Sequence, residues 1–173
     1  PGPAQFVVAA QLKNETNIVA WGTNEYGDSI PITGLECDEF GFVYLGATYT
    51  EVVVGLPYDW RYKSSKLAYG AGDGTSLLQN KRVDRIGILT QDEHPSAIRY
   101  GRDFINTRPM RLVESGRLVG ANTIRSLDSD TFPIGDLGTT WATDARVCLK
   151  GSSPYPVTLL GLVIDIETNE DPK

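Results

Sequence analysis

The chain holds a single histidine, His94, in the turn-like stretch QDEHP. A serine or cysteine nucleophile needs a base beside it, and no GxSxG turn accompanies this histidine, so His94 reads as a solvated turn residue. Glu36, Asp38 and Glu39 form one acidic loop, and Asp128 and Asp130 another. Neither carries the glycine and glutamate offsets of an EF-hand, so no metal site is expected, and no cofactor. Two carboxylates can hydrolyse a glycosidic bond, but with 22 acidic residues such a pair is easy to imagine and singles out no reaction. The glycine-rich GAGDG at 70–74 lacks the GK[ST] of a phosphate-binding loop and reads as a turn between strands. The chain is therefore expected not to be an enzyme.

Two other groups suit binding better than catalysis. Arg99, Arg102, Arg108, Arg111, Arg117 and Arg125 are all arginine with no lysine among them. The planar guanidinium pairs bidentately with carboxylates at interfaces. Its other readings are a solvated loop surface and contact with phosphates. In DWRYKSSK (59–66), Trp60, Tyr62 and Ser64 share one face of a strand, while Arg61, Lys63 and Ser65 share the other. Aromatics and arginine dominate interface hot spots, so Trp60 and Tyr62 are candidate anchors. Arg99, Arg102, Arg108 and Arg111 are candidate pairing bases, with Glu36, Asp38 and Glu39 as their acidic partners. The same aromatics could instead stack on sugars.

Eighteen glycines and ten prolines in 173 residues punctuate short apolar runs, the rhythm of an all-β chain. QFVVAAQL (5–12) and NIVAW (17–21) read as a hairpin. FVYL (42–45) and ATYTEVVVGL (47–56) follow, closed by Pro57, which has no N–H to give a ladder. KRVDRIGILTQDE (81–93) is the longest strand, in which Gly87 marks a bulge or a close neighbouring backbone. Residues 101–136 read as a long irregular excursion with one or two short strands such as 117–119. WATDARVCL (141–149) and VTLLGLVIDI (157–166) form the last strands around the turn SSPYP. No helix beyond two turns is visible. The expected fold is an antiparallel β-sandwich or distorted barrel in one domain, residues 1–173. Residues 1–41 are its N-terminal hairpin segment, 42–168 the main region and 169–173 a frayed tail.

No apolar run reaches the length of a membrane span, and the first residues show no signal-peptide pattern. The opening Pro1 reads as the start of a processed or excised piece. Cys37 and Cys148 read as small reduced core residues, although one bridge between them is possible. The net charge of −6 is unevenly spread. Residues 1–57 carry seven acids against one lysine, 58–125 twelve bases against seven acids, and 126–173 eight acids against three bases. Segregated charge of this kind can pair neighbouring copies or a chain's own segments. The acidic balance argues against a dedicated DNA-binding domain.

VVVGLPY (52–58), the crossing segment KSSKL (63–67), KRVDRIGI (81–88) and IRYG (98–101), in that order, resemble the C-terminal part of the nozzle, or tail tubular protein B, family of short-tailed bacteriophages. WATDARVCLKGSSPYPVTLLGLVIDIET (141–168) is similar to that family's closing hairpin. The resemblance covers residues 42–168. It implies a structural virion protein, a subunit of a homo-oligomeric six-fold ring in the tail nozzle, placed beside adaptor and fibre proteins. The ring would enclose the genome-ejection channel, through which DNA passes without sequence-specific binding, and it would be assembled in the bacterial host cytoplasm. Longer members of the family carry a β-propeller before this region, and no propeller repeat is visible here. An acidic channel wall is expected, because phosphate contacts would retain DNA. The alternative is a carbohydrate- or receptor-binding β-sandwich module.

Overall fold

A computed structural model describes residues 4–68, 70–71, 74–110, 113–114, 117–118, 120–122, 124–133 and 141–168. It is nearly all β, with 56% of residues in strands and several antiparallel sheets, and the described strands form no closed barrel. Among the described residues no helix is long and apolar enough to cross a membrane.

The first five strands are β1 (Ala4–Val8), β2 (Ile18–Thr23), β3 (Ser29–Leu35), β4 (Phe42–Tyr49) and β5 (Glu51–Gly55). The expected hairpin of the first two does not form. β1 pairs with β4, and β2 lies between β3 and β5. A 3-10 turn at Ala10–Leu12 and left-handed backbone at Asn14 and Asn17 carry the chain away from β1 before β2 begins. Burial then selects the partners. Ala9, Leu12, Ile18, Ala20, Val43, Leu45 and Tyr49 close into one core together with Cys37. Gly22 in β2 lies under the Tyr49 ring, where an added Cβ would come within 2.6 Å of a ring carbon. The ring can close this core only over a residue without a side chain.

The second group is β6 (Asp59–Lys63), β7 (Gly70–Ala71), β8 (Gly74–Thr75), β9 (Lys81–Glu93), β10 (Arg99–Gly101), β11 (Thr107–Pro109), β12 (Val113–Glu114), β13 (Arg117–Leu118), β14 (Arg125–Pro133), β15 (Cys148–Ser152) and β16 (Thr158–Thr168). One sheet runs β11-β10-β15-β6 and another β14-β9-β16. Ile86 and Ile88 of β9 meet Leu149 of β15, Ile98, Met110 and Val147, with Trp60, Leu162 and Ile164 packed against them. Two sheets that share one apolar layer make a sandwich. β9 spans the residues expected of it, and the alternation of Ile86, Ile88 and Thr90 inward with Arg85, Leu89 and Gln91 outward follows its period of two. Gly87 marks neither a bulge nor a close neighbouring backbone: the ladder to β16 is regular there, and an added Cβ would make an ordinary contact of 3.6 Å with the Val163 side chain.

The expected irregular excursion contains β14, a nine-residue strand paired along β9 from Arg125 opposite Glu93 to Pro133 opposite Arg85. Its sequence, RSLDSDTFP, has no apolar alternation to announce it. It is a sheet-edge strand held by the ladder of β9. The last turn holds a cis peptide at Ser153–Pro154. The tail 169–173 lies outside the described residues. Cys37 and Cys148 are both free and buried, one among the first strands and one in the sandwich.

Candidate functional site

The sequence directs attention to β6, whose alternation is borne out. Trp60 packs into the sandwich core while Arg61 turns outward. Gly151 of β15 lies opposite Trp60. A Cβ there would come within 2.5 Å of the Trp60 indole nitrogen and would collide with the Ala97 carbonyl oxygen. The indole therefore lies against bare backbone.

On its other side β6 borders a groove of about 610 Å³ between the two groups of strands. Trp21, Val53 and Leu56 line it from the first group, and Trp60, Tyr62 and Tyr155 from the second. Tyr58 stands at the seam, its backbone tied twice to Ser153: its N–H donates to Ser153 Oγ at 2.8 Å, and its carbonyl accepts from Ser153 N–H at 2.9 Å. Five aromatic rings thus surround one concavity, of which Trp60 and Tyr62 are legible in the sequence. Trp21 and Tyr155 are not, because they lie 39 and 95 residues from Trp60 in the chain and only folding closes that distance; Tyr58, two residues before Trp60, was not singled out.

Behind the groove lies His94. It is 2% exposed, which corrects its reading as a solvated turn residue. Its ring stacks on Tyr155 and meets the edge of Trp21 at 5.1 Å. Nδ1 accepts from the Ser96 N–H at 3.1 Å, so Nε2 carries the proton and donates to the Ala121 carbonyl at 2.6 Å. Burial pushes the imidazole pKa down, and the bond to Ala121 opposes that shift. A neutral histidine thus joins β2, the β15–β16 turn and the segment at 120–122. That segment also accepts from Ser29 N–H through the Asn122 carbonyl, at 3.1 Å.

The expected arginine cluster is spread out. Arg99 faces Pro109 across β10 and β11, whereas Arg108 faces Tyr100, so the two arginines point to opposite faces of their sheet. Arg102 lies 3.8 Å from Asp103. Arg111 lies outside the described residues, and the side chain of Arg125 does too. Arg99 instead stands in a row with two other cations. It is paired with Lys150 of β15, which is paired with Arg61 of β6. Glu36, Asp38 and Glu39 are exposed in the loop between β3 and β4. Asp38 is the turn-former there, accepting from the N–H groups of Phe40 at 2.9 Å and Phe42 at 2.8 Å, which leaves Glu36 and Glu39 as the outward charges.

A third surface escaped the sequence reading altogether. Phe6 pairs with Tyr44 and Val8 with Phe42 across β1 and β4, and all four are exposed, by 57%, 53%, 69% and 44%. The Phe6 and Tyr44 rings lie 5.0 Å apart. Among the described residues β1 pairs with no strand on its other side.

No protein-family model and no curated protein matches the chain.

Proposed function

We propose that this chain is a structural assembly subunit, acting through contacts with copies of itself and without a reactive centre. The observation that carries this reading is the exposed apolar face of the β1–β4 ribbon. Phe6, Val8, Phe42 and Tyr44 form one contiguous patch beside a strand edge that no other described strand covers. Such a patch marks a protein–protein contact, and an unpaired edge strand is a template for further pairing.

Charge supports a head-to-tail arrangement. The acidic loop with Glu36 and Glu39 belongs to the first group of strands, and the candidate bases Arg99, Arg102 and Arg108 belong to the second. Unlike ends favour a heterologous contact, which closes into a ring when the rotation allows. Joined to the resemblance, this makes the chain a subunit of the tail nozzle ring of a short-tailed bacteriophage, part of the virion and of the genome-ejection channel. Adaptor and fibre proteins would be its neighbours. Sedimentation velocity and mass photometry test the reading. Closed oligomers that Phe6→Ser with Tyr44→Ser reduces to monomer are expected. A wild-type protein that stays monomeric at high concentration overturns it.

A second reading, a carbohydrate- or receptor-binding module, is favoured by the aromatic groove. Aromatic rings lining a concavity can present faces to the C–H groups of a sugar. Retention on a glycan array, lost in Trp60→Ala, would support it.

A further inference from the structure

Row by row across the four-stranded sheet, Arg99, Lys150 and Arg61 stand directly opposite one another on three adjacent strands. Neighbouring strands lie about 4.8 Å apart, and like charges in such positions repel. A fold that tolerates three cations in one row usually offsets them with carboxylates, yet the partners here are neutral. Arg99 Nε donates to Thr107 Oγ1 at 3.2 Å, and its Nη2 to the Thr107 carbonyl at 2.8 Å. Lys150 Nζ donates to the Phe104 carbonyl at 2.8 Å. The Arg61 guanidinium lies over the Phe104 ring at 5.7 Å. The segment 103–107 that supplies these partners is itself braced, because Asp103 Oδ1 accepts from the N–H groups of Ile105 at 2.8 Å and Asn106 at 2.6 Å. These contacts position the three head groups and cancel none of their charge.

The three cations line a depression of about 170 Å³ together with Ser96, Ser152 and Asp59. Asp59 lies on the same face of β6 as Arg61, so the depression carries three positive charges against one negative. Cationic side chains from three strands border it, with two serine residues beside them. A planar carboxylate offers two oxygens in one plane, whereas a tetrahedral oxyanion offers oxygens in several directions at once. We propose that this depression binds a phosphate or sulfate group. The positive charge attracts the anion, and the spare N–H groups of Arg61, Arg99 and Lys150 provide charge-assisted hydrogen bonds.

The group could be a free anion or the phosphodiester of a polynucleotide, since the local chemistry is shared. The test is titration of the whole chain with inorganic phosphate and with sulfate, read by calorimetry and by thermal shift against sodium chloride of equal ionic strength. Saturable binding with Kd on the order of 1 mM is expected. It should weaken roughly tenfold in Arg61→Ala and in Lys150→Gln, each of which removes one charge-assisted bond. Both side chains lie outside the β1–β4 patch, and Arg99 is left unaltered. A loss of anion binding is thus separable from a loss of assembly. A short single-stranded oligonucleotide that binds more tightly than inorganic phosphate, and loses that advantage in the same variants, assigns the site to a phosphodiester. An oligonucleotide that binds no better assigns it to the free anion. No saturation beyond the chloride control, or binding unchanged in both variants, overturns the proposal.

Discussion

His94 lies flat against Tyr155, with ring centroids 4.9 Å apart and planes 25° from parallel. Trp21 meets the imidazole almost edge-on at 5.1 Å and lies 6.4 Å from Tyr155. One ring comes from β2, one from the end of β9 and one from the turn before β16. The two groups of strands are therefore keyed together through a neutral histidine.

This arrangement sets a pH dependence. The folded-state pKa of His94 lies below its ordinary value, chiefly through burial. Below the ordinary value of about 6.5 the unfolded chain takes up a proton that the folded chain resists, so stability falls as pH drops. Urea midpoints should therefore fall between about pH 7 and pH 5.5 in the wild type. His94→Gln should be less stable at neutral pH and should lack this component. Parallel pH profiles for the two proteins would contradict the assignment.

Removing a flanking ring should loosen the join. Trp21→Ala should lower stability by about 3 kcal/mol, measured by urea unfolding. Amide exchange should quicken first around Ser29 and the segment at 120–122, which meet through the Asn122 carbonyl. An effect confined to β2 would show that the cluster packs locally and does not join the two groups.

Gly151→Ala tests the seat of Trp60. Its new methyl group would press on the indole nitrogen and on the Ala97 carbonyl. Overpacking of this kind costs about 1–3 kcal/mol or more. A red shift of Trp60 fluorescence should accompany the loss, because the ring is driven toward the groove and water.

Both cysteines should resist a thiol reagent in the native protein and react together on unfolding. Burial raises both thiol pKa values, and the thiolate is the reactive form. The intact mass without reductant should be that of two free thiols. A bridged mass would contradict the placement of Cys37 and Cys148 in separate regions.

The ribbon surface should behave as an interface and not as core. Phe6→Ser with Tyr44→Ser should shift the sedimentation coefficient of any assembly. It should leave the thermal midpoint of the monomer within a few degrees, since exposed positions contribute within about 0.5 kcal/mol. Loss of folding in this variant would place the pair in the core instead.

What the amino-acid sequence determined by itself was local and periodic. Alternation over 81–93 defined β9 to its ends, because an inward apolar row needs no knowledge of what it meets. The faces of Trp60 and Arg61 on β6 followed from the same period of two. The all-β class followed from the density of glycine and proline between short apolar runs. Partnership was a different matter. That β1 would pair with β4, and that RSLDSDTFP would be a strand, depended on which edges remained open after the cores had closed. The burial of His94 was decided by Trp21 and Tyr155, which lie 73 and 61 residues away in the chain. The row Arg61, Lys150 and Arg99 exists only through sheet register, because hydrogen bonding between strands aligns residues that share no local pattern.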